Sequence, residues 1–357
     1  MSVGAAATGG TDTDGGTGAD VPATRSPKVL HLAQVVVDLT LQIDHLPERG
    51  GDIFATKNGI SAGGGYNVLY AIRRLGAPAA YMGAIGTGSM ASIATSALNS
   101  IGVEVGGAQL PDIDTGYSVA MTEPSGERTF VSTRGAETRV PADFYEKLSL
   151  VEGDVIYLSG YSFAHAMNRE ALERFARKNA GWNGPVLFDI GPMVRDLPDD
   201  SLAAVQLLRP IWSVNEREGG ILIERFGLEA SVPNVPADSP EHHAAVASAL
   251  SQHLGSSVIL RAGAAGAWFA RATAKAAASS GAGDAVTYVP TPHVTAVDTN
   301  GAGDAHSGAL CAGLFQHRPL DKALLYANCA GALSTTKEGP ATCPSLDEIE
   351  AAAKKLQ

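Results

Sequence analysis

Near its C-terminus the chain reads Val297-Asp298-Thr299-Asn300-Gly301-Ala302-Gly303-Asp304, between an apolar, strand-like stretch and a run of small residues, Ala305 to Gln316, that suits a helix. Glycines let the backbone turn tightly and present successive N–H groups, and such amides at a helix N-terminus attract anionic oxygens. Asp304 places a carboxylate in that cradle, where it can take the proton of a hydroxyl attacking a phosphoryl group. An Asp that merely caps its helix is the plainer explanation. The strand-turn-helix context required of a phosphate loop favours the chemical one. The sequence carries its own control: Gly281-Ala282-Gly283-Asp284 repeats the four letters inside the Ala/Ser-rich stretch Arg271 to Ala285. There a strand-like run, Val286 to Val289, follows instead of a helix, so this copy is expected to hold no phosphate.

A second glycine cluster, Gly63-Gly64-Gly65, precedes Tyr66, Asn67 and a helix expected from Val68. Glycines admit a polar ligand close to the backbone, and Asn67 offers a donor and an acceptor to sugar hydroxyls. A Gly-rich turn with an Asn cap would have the same letters. Asp38, at the end of the first apolar stretch, can accept from two adjacent hydroxyls or simply close a turn. Asn215 and Glu218 stand three apart at the start of a helix and so share one side of it. Such a pair suits the water shell of a magnesium ion, which binds through few carboxylates, and suits an ordinary helix start nearly as well. A Walker A loop, an H-E-x-x-H zinc motif and a G-x-S-x-G elbow are absent from the sequence, so their chemistries lose support.

These residues need a frame. Val29 to Leu39 reads as one strand, and Val68, Leu69, Ile72 and Leu75 mark a helix face stopped by Gly76 and Pro78. Strand Ala79 to Ile85 and helix Ser92 to Ile101 come next, then strand Val155 to Ser159, helix Arg169 to Lys178 and strand Val186 to Asp189. Strand Ile211 to Val214, helices Arg217 to Phe226 and His242 to His253, and strand Ser257 to Arg261 follow, with helices after Asp304, Asp321 and Ser345. Continuous apolar strands alternating with helices predict an α/β protein with a mostly parallel sheet covered on both faces. Leu41 to Ser61 and Thr115 to Val131 break the rhythm as shorter strands with polar alternation, and are expected to form a small projecting sheet. Residues 1–27 lack a hydrophobic period and are expected to be a disordered tail, leaving 28–357 as one domain. Arg271 to Ala285 is expected to be an expanded hairpin loop without function.

Composition narrows the partners. With 45% hydrophobic and 18% charged residues the 357-residue chain is too apolar to be largely disordered. Its 26 Lys+Arg against 37 Asp+Glu leave a net charge of −11, which disfavours nucleic acid. No apolar run approaches the roughly 18 residues that span a bilayer, and no secretory signal opens the chain, so a soluble cytoplasmic protein without membrane contact is expected. Cys311, Cys329 and Cys343 match neither zinc nor disulfide spacing and are expected as small buried side chains in a reducing compartment.

The segment Asp298-Thr299-Asn300-Gly301-Ala302-Gly303-Asp304 resembles the C-terminal signature D-T-x-G-A-G-D of the ribokinase-like, or PfkB, carbohydrate kinases. Gly63-Gly64-Gly65-Tyr66-Asn67 resembles a variant of their N-terminal glycine motif, and order and spacing agree over residues 28–357. The resemblance implies a three-layer α/β/α fold with a mostly parallel central sheet and a small β lid near 41–61 and 115–131. It implies ATP-dependent phosphorylation of a hydroxymethyl group on a sugar or sugar-like compound. A nucleoside kinase is the alternative, and a catalytically silent ligand-binding protein a weaker one. By the same resemblance Asp304 is the catalytic base, with Gly301, Ala302 and Gly303 in the anion hole, and Asp38, Gly63, Gly64 and Asn67 hold the sugar. Asn215 and Glu218 become the Mg-phosphate motif, Glu218 reaching the metal through water, while Asp298 and the carbonyl of Asn300 border a monovalent cation site. ATP and Mg2+ are thus the implied cofactors, with K+ as an option. Arg261, Gly263, Asn328 and the Gly339-Pro340 loop fall on the nucleotide side, and pairing of two copies through the lid is a further option.

Departures from the family pattern matter as well. His306 stands where a Phe is common, Arg261 where a Thr is common, and Gly65 and Tyr66 where small residues usually precede the Asn. Arg261 can meet a phosphate directly, and His306 either tunes the field of Asp304 or is a plain helix-face histidine. For a nucleoside substrate, Phe54 or Tyr117 would stack on the base.

Overall fold

Val29 to Leu39 is two strands, and the break between them creates the two-sheet architecture. In the computed structural model, which describes residues 25–272 and 286–357, β1 (Val29–His31) is buried throughout, whereas β2 (Val35–Gln42) buries Val35 and Val37 and leaves Val36 and Asp38 partly exposed. Continuous burial belongs to a sheet covered on both faces; alternation belongs to one covered on a single face. The chain therefore leaves one sheet and enters another across residues 32–34.

The remaining strands are β3 (Lys57–Gly64), β4 (Ala79–Tyr81), β5 (Glu104–Val105), β6 (Tyr117–Thr122), β7 (Arg128–Ser132) and β8 (Val155–Ser159). After them come β9 (Val186–Asp189), β10 (Ile211–Asn215), β11 (Val258–Arg261), β12 (Ala267–Ala270) and β13 (Val286–Val289). Nine make the main sheet in the order β13-β12-β11-β10-β9-β8-β1-β4-β5. From β5 to β11 neighbours run parallel; β12 and β13 add an antiparallel edge. Successive residues of one strand enter different cores: Val29 and Val155 pack with the helix Gly65–Arg74, while Leu30 and Ile156 pack with Phe175 and Trp212. That is the expected three-layer α/β/α arrangement.

Two expected strands are shorter or missing. The strand Ala79 to Ile85 ends at Tyr81, and Ile85 makes only an isolated bridge to Gln109. The strand expected before the glycine signature is absent: β13 stops at Val289 and residues 290–301 run irregularly. Pro290 and Pro292 have no N–H to donate to a ladder, which ends the pairing there.

The small sheet has the order β3-β2-β6-β7 and uses 35–42 and 57–64, 117–122 and 128–132, with the intervening loops outside it. Its register places Ser61, Asp38, Ser118 and Ser132 in one row, Gly59, Thr40, Ala120 and Phe130 two residues along, and Lys57, Gln42, Thr122 and Arg128 at the far end. Residues two apart share a face, so Asp38, Phe130 and Arg128 look the same way. Tyr117 lies in the row of Val37, on the other face, packed against the core. It is therefore not the base-stacking aromatic expected from the sequence.

One helix contact brings the two sequence motifs together. The helix Gly65–Arg74 lies against the helix Ala302–Phe315 at Gly308, where a Cβ would sit 2.5 Å from both the Ala71 Cβ and the Val68 carbonyl oxygen. Only a residue without a side chain lets these backbones approach so closely.

Candidate active site

The helix Ala302–Phe315 begins three residues earlier than expected, so Asp304 sits in its first turn. Gly301 is the residue before the helix, with φ of 75°, and a Cβ there would lie 2.1 Å from the Pro340 carbonyl oxygen; both facts require glycine. Gly301, not Asp304, is the N-cap of this helix, which removes the plain cap explanation. Its Oδ2 instead accepts a hydrogen bond of 2.9 Å from Asn67 Nδ2. Asn67 lies in the first turn of its own helix, which starts at Gly65 rather than Val68, and is buried. Burial, together with the nearby carboxylates of Asp189 and Asp38, pushes the Asp304 carboxyl up to about 6 against the pull of Asn67 and Arg261. Of the three amides in the cradle, Ala302 N makes a long bond of 3.4 Å to Thr299 O; those of Gly303 and Asp304, in the first turn, have no intrahelical acceptor.

Asp304, Ala302 and Gly303 open onto a cavity of about 590 Å³ at the C-terminal ends of the parallel strands. Asn215, Glu218, Arg261, Gly263 and Asn328 line it too, so the residues assigned to the nucleotide side come together apart from Gly339. Asn215 and Glu218 form a reciprocal cap: Asn215 Oδ1 accepts from Glu218 N, while Glu218 Oε2 and Oε1 accept from Asn215 N and Nδ2, each at 2.9 Å. Asn328 spends its amide on the carbonyls of Val289 and Pro290, which ties the cavity wall to the end of β13. Burial, then Arg261, lowers His306 to about 3, so it stays neutral and lends Asp304 no charge. Arg261 ion-pairs with Asp189 at 3.3 Å and lies 3.7 Å from Glu218. Burial alone would lower its affinity for the proton, yet these two carboxylates raise it. A Cβ on Gly303 would come within 2.9 Å of Arg261 Nη1, which sets the guanidinium directly against the amide cradle.

Asp38 does not end the first strand; it lies within β2, on the face of the small sheet turned toward Asp304. A Cβ on Gly63 would fall 1.9 Å from Asp38 Oδ2, and Gly64 has φ of 58°, so this glycine pair creates the room and the turn that seat the carboxylate beside the helix start. Burial raises Asp38 to about 6. Asp298, Asn300 and Gly339 meet outside the cavity, where Asp298 Oδ1 accepts from Asn300 N at 2.9 Å and Oδ2 from Gly339 N at 3.1 Å. The second Gly-Ala-Gly-Asp copy and most of Arg271 to Ala285 lie outside the described residues.

Four further residues belong to the site or its surroundings: Asp189, Tyr161, Phe130 and Arg128. Asp189 ends β9 as Asn215 ends β10, and its Oδ2 accepts from Ser307 Oγ at 2.8 Å; a polar residue at a strand end was the available signal. Tyr161 lines the cavity near Asp304. Phe130 and Arg128 on β7 became visible only through the register of the small sheet.

A three-layer α/β/α body with a helix-start anion cradle, a carboxylate within it and a second, smaller sheet has the arrangement a phosphotransferase needs. The chain belongs to the PfkB family: the profile described as pfkB family carbohydrate kinase matches residues 31–347. It is thus a carbohydrate kinase with an alcohol as acceptor. Escherichia coli contains an uncharacterised sugar kinase, YegV, that is 28% identical over 334 residues, covering 93% of this chain and 96% of the relative. An ATP-dependent ribose-1-phosphate kinase of Halopiger xanaduensis is 27% identical over 336 residues, 91% and 97% of the two chains. Arabidopsis thaliana ribokinase complexed with ribose and ATP shares the fold with a TM-score of 0.72 at 19% identity, over 92% of this chain and 99% of that one. Among the described residues no helix is long and apolar enough to cross a membrane.

Proposed function

We propose that the chain phosphorylates the hydroxymethyl group of a small sugar, with ATP as its magnesium complex for donor. The observation that carries this reading is Asp304: a carboxylate of raised proton affinity, held by Asn67, between the cavity and Asp38. A base poised near 6 accepts a proton readily and is still ionised at neutral pH. Asn67 fixes Oδ2 and leaves Oδ1 for the proton of the acceptor hydroxyl. Asp38 and the backbone of Gly63 and Gly64 orient the sugar, and the amides of Gly303 and Asp304, backed by Arg261, face the charge that moves.

The cavity fits a nucleotide. It has the volume, the amide cradle and a buried guanidinium whose Nε has no partner among the described residues. Both Glu218 oxygens are engaged by Asn215, so the pair fits a magnesium ion held through water rather than one bound directly. The magnesium complex supplies charge neutralisation on the phosphate oxygens. The three cysteines are buried and free, which supports a reducing, cytoplasmic setting. Ile60 and Val131 are exposed at the two ends of one apolar row, with Leu39 and Val119 between them, on the face of the small sheet opposite Asp38, which supports pairing of two copies there.

A nucleoside acceptor is the second reading, and Phe130 favours it. This aromatic is 57% exposed on the Asp38 face, two strands across and two residues along from Asp38, where it can meet a large group carried by the sugar. The test is ADP release measured across pentoses, hexoses, polyols, sugar phosphates and nucleosides. A sugar preferred over its nucleoside supports the first reading. A nucleoside preferred, with the preference lost in Phe130→Ala, supports the second. Silence throughout would leave a ligand-binding protein.

A further inference from the structure

The family pattern allows a monovalent cation beside Asp298 and the Asn300 carbonyl. The surroundings of Asp298 in this chain do not fit one. Oδ1 accepts from Arg128 Nη2 at 2.6 Å as well as from Asn300 N, and Oδ2 is taken by Gly339 N. Arg128 arrives from β7, 170 positions away in sequence, on the inner face of the small sheet. The side chains of Arg128 and Asp298 are 29% and 15% exposed, so water screens the pair less than it screens an ordinary surface pair. Burial would raise the Asp298 carboxyl, yet Asn300 N, Arg128 and Gly339 N together hold it below the usual carboxylate range.

Asp298 is also the joint between two loops. Its oxygens collect the amides of Asn300 and Gly339, and the next residues of these loops, Gly301 and Pro340, are in backbone contact. The irregular segment 298–301 runs directly into Ala302, Gly303 and Asp304. An uncompensated negative charge at Asp298 would both loosen this joint and repel a polyphosphate at the neighbouring cradle. Guanidinium is a cation that never deprotonates, and its planar fork suits a carboxylate. At the same end of the sheet Lys57 pairs with Glu338 at 2.8 Å, a second but solvent-exposed bridge to the same loops.

We infer that Arg128 takes the place of the monovalent cation, as a positioning residue that steadies the anion cradle through Asp298. Because Arg128 rides on the small sheet, the cradle receives its cation only while that sheet is down. The inference deepens the kinase reading and rests on it. It predicts an enzyme indifferent to potassium, whose lid and anion cradle act as one unit.

The first test uses the wild-type chain alone. Its thermal melt and its turnover are compared in potassium, sodium and choline chloride at one ionic strength. Equal melts and turnovers within about twofold are expected, since a ligand that binds the native state raises its stability by mass action. A potassium-specific rise in either overturns the inference. The second test compares Arg128→Ala with Arg128→Lys. In choline chloride the alanine variant should lose about 10- to 100-fold in turnover, the size of one charge-assisted hydrogen bond, with nucleotide KM little changed. Millimolar guanidinium or potassium should restore it, and lysine should keep most of it; a merely structural role would show no rescue by either ion. If the alanine variant does not fold, Asp298→Asn and the Lys pair carry the comparison, and equal behaviour of Arg128→Lys and Arg128→Gln in turnover overturns the inference. Silence toward every acceptor would sink the kinase reading, while the melts would still decide whether potassium binds.

Discussion

Removal from water raises the proton affinity of both Asp304 and Asp38 to about 6, and the Asp38 charge adds a little to the rise at Asp304. Turnover should therefore fall as pH drops through 6, where both carboxylates take up their protons. A pH profile of kcat/KM checks this, and a limb near 4 would mean that neither group is the base. Asn67→Ala removes a donor that favours the ionised form of Asp304, so the limb should move to higher pH. Asp304→Asn should lower turnover by roughly two to four orders of magnitude, the range of general base catalysis. The same substitution should raise stability. A carboxyl whose folded value is raised binds protons more tightly in the folded state, so it disfavours folding by about 1 to 3 kcal/mol at neutral pH. That penalty fades as pH falls from 6 toward 4, and the melting temperatures of the two proteins should converge there. A less stable Asp304→Asn at pH 8 would show that the carboxylate is not under strain.

At the scale of elements, the catalytic geometry depends on how closely two helices approach. Gly308 sets the distance between the helices that carry Asn67 and Asp304. Gly308→Ala must push them apart at a contact of 2.5 Å, at a cost of about 1 to 3 kcal/mol in stability. The larger effect should be on turnover, since a displacement of about 1 Å at reacting groups costs on the order of 100-fold. Thermal melts and steady-state kinetics separate the two losses; unchanged kinetics in a destabilised variant would show that the Asn67 contact is dispensable. The small sheet makes a different demand. A sheet that closes over the sugar would exclude competing water, and saturating substrate should then protect residues 41–61 and 115–131 from limited proteolysis. Protection of the residues around Gly301 without protection of these segments would mean that the sheet takes no part in substrate binding.

For the molecule as a whole, the folded body reaches further toward the N-terminus than composition suggested. Arg25, inside the tail expected over 1–27, ion-pairs with Asp154, a fully buried carboxylate that also accepts from Lys28 N at 3.1 Å and Val151 N at 2.9 Å. Deleting residues 1–24, which lie outside the described residues, should leave melting temperature and turnover unchanged. Deleting residues 1–27 removes the cation and leaves a buried charge with only its two amides, so the melt should fall by about 2 to 6 °C. Equal melts for the two truncations would show that the pair contributes nothing.

The letters alone were enough for the local chemistry. Gly301 to Asp304, Gly63 to Asn67 and the Asn215/Glu218 pair owe their shapes to neighbours a few residues away, and a glycine turn, a helix start or a capping pair is visible at that range. Alternating apolar strands and helices likewise announced the three layers, because burial on both faces leaves its period in the sequence. What lay beyond reach depends on registers between distant segments. Alternation shows only from Val37 onward, so no local pattern divides the apolar run that precedes it, and only the pairing partners assign β1 and β2 to different sheets. Asp189 beneath Arg261 and Arg128 on Asp298 are joined across 72 and 170 positions, respectively. Such contacts are decided by which strands lie side by side and how closely two helices pack, and those are properties of the folded chain.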